Sequence, residues 1–202
     1  MDKQNTKQRI LAAALELFST QGFEATSIAQ LAEAVGIRKA SLYSHFESKQ
    51  DILDCLIESI MQRYSSHSVL TLAACNDDEL DSDGVVRLVT EQLRYTIHDP
   101  YVSRARKMLT IEQYQNPELA KLKTKQSYTD VMSFAETIMN RLIAKGELKQ
   151  LDAHVMAAQF ALPVSEWMAL CDREPEREDE VFGLIERHIR QFFEVYRTKE
   201  QQ

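Results

Sequence analysis

A chain of 202 residues, 44% hydrophobic and 27% charged, has the composition of a folded globular protein and is long enough for one large domain or two small ones. Its formal net charge is −7, so any crowding of cations in it is a local feature. No apolar run is long enough to cross a bilayer, and the polar start MDKQNTKQRI leads directly into an amphipathic pattern, so neither a signal peptide nor a membrane-spanning helix is expected. Cys55, Cys75 and Cys171 are odd in number and far apart, which argues against a disulfide framework and for a reducing cytoplasm. Five Gly, four Pro and little strand-like alternation predict an all-α fold.

Along TKQRILAAALELFSTQGF, Ile10, Ala14, Leu17 and Phe18 share a face with Leu11 and Leu15 beside it, so a first helix is expected, closed by Gly22. Thr26 or Ser27 can cap a short second helix whose Ile28, Leu31, Ala32 and Val35 point one way and which Gly36 stops. A third short helix follows over roughly Lys39 to His45. Ser48, with Asp51 three residues on, starts a long fourth helix lined by Ile52, Leu56 and Ile60. After an acidic, turn-rich connection in HSVLTLAACNDDELDSDG, helices are expected near 84–98, 101–114, 117–145, 152–171 and 178–198. Pro100 and Pro117 suit first turns, Gly146 suits a C-terminal cap, and Pro163 should kink its helix.

The spacing of Ala32, Gly36 and Leu42 makes the second and third helices a helix-turn-helix. A steep crossing needs a small residue at the contact, a residue tolerant of positive φ at the turn, and an apolar plug on the second helix. With Leu42 facing inward, Lys39, Ser41, Tyr43, Ser44 and His45 face mostly outward, with Arg38 at the helix start. Such side chains donate to phosphate oxygens or reach base edges in a major groove. Thr26 and Ser27 at the start of the second helix and Lys49 in the first turn of the fourth complete the expected DNA-binding set. Lys3, Lys7 and Arg9 offer further backbone or minor-groove contacts.

The runs LFSTQGFEATS, IAQLAEAVGI and above all SLYSHFESK resemble the N-terminal domain of the TetR family of bacterial transcriptional regulators, over about residues 6 to 64. Two positions depart from the family pattern: Arg38 stands where a small polar residue is common, and Ser44 where a bulky aromatic is. The resemblance implies a three-helix reading domain at 1–64, joined by a long helix to a helical effector-binding and dimerisation domain at 65–202. It also implies a homodimer through the last two helices and a palindromic double-stranded DNA operator. Repression would be relieved by a small molecule that tilts the fourth helix and changes the spacing of the two heads. An activator, or a regulator acting through protein partners, is the alternative. Residues 1–64 hold seven Lys and Arg against eight Asp and Glu, so the head is nearly neutral and the rest carries most of the negative charge.

Other chemistry finds little footing. His45, His67, His98, His154 and His188 show no metal-ligand spacing, and no nucleotide-binding or nucleophile motif occurs, so neither a cofactor nor an enzyme is expected. For the effector, polar, sulfur-bearing or aromatic residues on apolar middle helices are the candidates: Tyr95, His98, Arg104, Met108, Tyr114, Tyr128, Met132 and Trp167. Ordinary packing is the competing explanation for each.

Overall fold

The computed structural model describes residues 3–73 and 81–198, with side chains over 4–64 and 81–198. Cys75 and most of the acidic connection expected before the fifth helix lie outside the described residues, as do the side chains of Lys3 and His67. In chain order the helices are α1 (Lys3–Gln21), α2 (Ile28–Val35), α3 (Lys39–Tyr43), α4 (Lys49–Ala73), α5 (Ser82–His98), α6 (Pro100–Glu112) and α7 (Pro117–Thr124). A π-helical turn over Lys125–Thr129 leads into α8 (Asp130–Ala144), followed by α9 (Ala153–Arg173), a short 3-10 turn and α10 (Glu178–Tyr196). An isolated antiparallel bridge joins Leu148 to Arg197. The all-α reading therefore holds, with an N-terminal helix-turn-helix domain and a C-terminal helical domain.

The local signals act where the chemistry places them. Ser27 caps α2 in a full capping box: its hydroxyl accepts from Gln30 N–H and the Gln30 side chain accepts from Ser27 N–H. Ser48 Oγ accepts from Asp51 N–H at 3.0 Å, while the Asp51 carboxylate accepts from Glu47 N–H, one residue earlier than in a standard box. Pro100 and Pro117 open α6 and α7, where a missing N–H costs nothing. The helix expected unbroken over 117–145 is interrupted by the π turn, and α3 is shorter than expected, ending at Tyr43.

The chain forms two compact units. The first holds residues 1–69 and Pro100–Lys123; the second holds 70–99 and 124–202. The first unit thus differs from a head ending at residue 64 by taking in α6 and nearly all of α7. The reason is apolar: Ala105, Met108 and Leu109 of α6, with Leu119 and Leu122 of α7, share one core with Ile10, Ala14, Phe18, Leu31, Leu42, Phe46, Ile52 and Leu56. Each fully buried large side chain there is worth about 1.5–3 kcal/mol of transfer free energy. The second unit has its own core, from Val85 and Val89 of α5, Ile138 and Leu142 of α8, Phe160 of α9, and Ile185, Ile189 and Phe192 of α10.

Candidate nucleic-acid interface

The turn between α2 and α3 is fixed by three hydrogen bonds and one backbone angle. Gly36 sits at φ +72°, ψ 36°, where an L side chain is strained. Its N–H donates to Glu33 O at 2.9 Å and Ile37 N–H donates to Ala32 O at 2.9 Å, the paired bonds of a Schellman end. Ala32 is buried and Leu42 is fully enclosed in the core, so the three residues singled out by spacing meet as the crossing requires. The last carbonyl of α2 is satisfied from elsewhere: Arg9 of α1 donates to Val35 O at 2.6 Å, a cation at the negative end of a helix.

With Leu42 plugged inward, α3 presents Arg38, Lys39, Ser41, Tyr43 and Ser44 to solvent, and His45 is half-buried. Tyr43 is 53% exposed, so its ring and hydroxyl are open to a partner. Arg38 occupies the N-cap position in extended geometry and makes no capping bond with its side chain. The Ser44 hydroxyl donates to Ser41 O at 2.7 Å and is partly committed to its own helix. Ser27, the N-cap of α2, is also exposed. The face offers a guanidinium, an ammonium, a phenol and serine hydroxyls: donors for phosphate oxygens and base edges on one short element.

Other members of the expected set point inward. Thr26 is 1% exposed; its hydroxyl donates to Gly22 O at 2.7 Å and accepts from Gln21 Nε2 at 3.0 Å. Lys49 donates to Phe23 O at 2.7 Å and to Thr26 O at 3.0 Å, and its ammonium lies 4.1 Å from the centre of the Phe23 ring. Lys7 lies over the Phe46 ring at 5.1 Å. The sequence marks these as cations near the reading helix; the fold gives Lys7, Arg9 and Lys49 work in holding that helix in place. Two contributors went unread. Gln30 was visible as the fourth residue of Ser-Ile-Ala-Gln. Glu112, whose carboxylate accepts from Phe23 N–H at 2.7 Å, lies 89 positions away and carries no local signal.

The eight effector candidates are divided between the two units. Arg104, Met108 and Tyr114 belong to the first unit, and Tyr95, His98, Tyr128, Met132 and Trp167 to the second. Met108 and Met132 are core residues, whereas Tyr114 is 85% exposed and Tyr128 is exposed as well. Arg104 pairs with Glu16, and His98 with Glu178. Trp167 meets His188 edge-to-face at 5.3 Å, and His188 Nε2 lies 2.9 Å from Phe160 O, as donor in the tautomer that carries its proton there. A surface concavity of about 260 Å³ in the second unit, lined by Asp81, Glu147, Arg190 and Phe193 among others, includes none of the eight.

Residues 10–56 match the family model described as bacterial regulatory proteins, tetR family, a span that contains α2, the turn and α3. A probable HTH-type transcriptional regulator, ArpR of Pseudomonas putida, is 30% identical over 92 residues, 46% of this chain and 42% of its own length. UidR of Escherichia coli K12, also an HTH-type transcriptional regulator, is 26% identical over 176 residues, 87% of this chain and 85% of its own. The matched stretch thus spans about two fifths of the length of the first of these relatives. A TetR-family regulator from Agrobacterium tumefaciens superposes with a TM-score of 0.70 at 22% identity, covering 98% of this chain and 100% of that one, which shows a shared fold. The helix-turn-helix match, the related regulators and the common fold agree: residues 10–56 carry the domain described as bacterial regulatory proteins, tetR family, and the chain shares the fold of a TetR-family regulator.

Proposed function

We propose that this transcriptional regulator binds double-stranded DNA by laying α3 in the major groove, with Arg38, Lys39, Ser41 and Tyr43 as its reading and anchoring side chains. The observation that carries this reading is the exposed donor face of α3, held outward by the buried Leu42 and the left-handed turn at Gly36. Ser27, Ser44 and His45 lie close enough in sequence to add contacts. Thr26 and Lys49 enter as supports of the head, on account of the bonds their side chains already make.

The finer reading is a cytoplasmic homodimeric repressor that grips a palindromic operator and is released by a small-molecule effector. In favour of the dimer, Val155 and Leu162 of α9 and Val195 of α10 leave apolar surface exposed on the last two helices. Release by an effector, and a division of labour between a reading head and an effector-binding body, rest on the resemblance to the TetR family alone. The test is selection of a duplex from a random-sequence pool, followed by anisotropy titration of Arg38→Ala and Tyr43→Ala. Each is expected to lose about tenfold in affinity with an unchanged helical circular dichroism spectrum, in line with about 1–3 kcal/mol for a base-edge contact. Wild-type affinity in both variants rules out α3 as the reading element. Compounds are then screened for release of that duplex.

A further inference from the structure

The main chain of Phe23 is held on both of its peptides by charged groups of two helices. Its N–H donates to the carboxylate of Glu112, the last residue of α6, at 2.7 Å, and its C=O accepts from the ammonium of Lys49, the first residue of α4, at 2.7 Å. The carboxylate meets the N–H of the Gly22–Phe23 peptide and the ammonium the C=O of the Phe23–Glu24 peptide, so both bonds are charge-assisted. Glu112 is 5% exposed, and a carboxylate is rarely taken that far out of water without a partner. Gly22 makes the approach feasible. It is left-handed at φ +86°, and a Cβ there would lie 3.1 Å from Glu112 Oε1 and 3.4 Å from Ile111 Cγ2.

What this clasp holds is the start of the reading machinery. The turn from Gly22 to Ser27 ends in the N-cap of α2, and Lys49 closes the same turn from Thr26 O while opening α4. The two elements that flank α3 in the chain, α2 and α4, are therefore referenced to one short segment, and Glu112 is the group on α6 that fixes that segment. We infer that Glu112 is a positioning residue for DNA reading: it touches no DNA, and acts by setting the main chain at Phe23, on which the starts of α2 and α4 are both aligned. The inference rests on the DNA-binding reading above.

The experiment compares wild type with Glu112→Gln and Glu112→Leu, with Glu112→Ala as a second truncation should the leucine variant not fold. Gln retains an acceptor for Phe23 N–H; Leu and Ala do not. Two readouts are taken: exchange of the Phe23 amide by NMR, and affinity for a duplex selected by the wild-type protein from a random pool. Expected are a protected Phe23 amide in wild type and Gln, faster exchange in Leu or Ala, and affinity lower by about tenfold in the truncated variants but within about threefold in Gln, the scale of one lost hydrogen bond to a charged group. Equal affinity losses in Gln and Leu, wild-type affinity in Leu or Ala, or an unprotected Phe23 amide in the wild-type protein overturns the role of Glu112. A wild-type protein that selects no duplex instead overturns the DNA-binding reading itself.

Discussion

Gly22 and Gly36 are both left-handed, yet they stand in different surroundings, and that difference yields a prediction. Nothing lies within 4 Å of a Cβ built on Gly36, so Gly36→Ala is charged only for its backbone conformation, about 1–2 kcal/mol. Gly22→Ala meets the same cost and also pushes on the Glu112 carboxylate, loosening its bond to Phe23 N–H, for a further ~1–3 kcal/mol. Urea denaturation is expected to rank the two in that order, and an equal loss would show that the Glu112 bond contributes nothing to stability. The first of these glycines was legible as a helix stop, and Gly36 as the pivot of a turn, because both roles are local. The partners of Lys7, Arg9 and Lys49 were not legible. Two of these cations bind main-chain carbonyls, which every residue carries and which only tertiary folding brings into reach.

At the level of elements, the sequence located most helices because capping residues and apolar spacing are written within a few turns. The π turn at Lys125–Thr129 escaped because neither Gly nor Pro marks it, and the buried apolar positions that stop at Leu122 resume at Met132 and Ala135. Periodicity also fails to separate the inside of a unit from its partner face. On α10, Ile189 and Phe192 continue the apolar spacing, but both are buried within the second unit's core and have no surface left for a dimer. Leu162, 38% exposed, and Val155, 50% exposed, one heptad apart on α9, are the better candidates. Sedimentation is expected to show Leu162→Asp as a folded monomer at micromolar concentration. Ile189→Asp is expected to unfold its unit instead, since an unpaired buried charge costs on the order of 4 kcal/mol or more. A Leu162→Asp protein that remains a dimer would move the interface elsewhere.

For the molecule as a whole, the acidic balance and the inward use of cations limit how DNA can be held. On α3 and at its start, only Arg38 and Lys39 are cations exposed to solvent. A dimer would then neutralise roughly four phosphates through them, and the logarithm of affinity should fall with the logarithm of salt with a slope near −4. A slope beyond about −7 would mean that Lys7, Arg9 or Lys49 leaves its internal partners for the phosphates. Candidates for an effector site were the least legible residues of the sequence, because Met108 and Met132 have the composition of a pocket wall and the burial of a core. A last consequence concerns the order in which the chain is made. The core around Phe18 and Leu42 includes Met108, Leu109, Leu119 and Leu122, and the strand of sequence between, 70–99, belongs to the other unit. On the ribosome, the head emerges first but cannot close its core until α6 and α7 have left the exit tunnel. Throughout that interval the apolar surface that α6 and α7 later cover stays open to water.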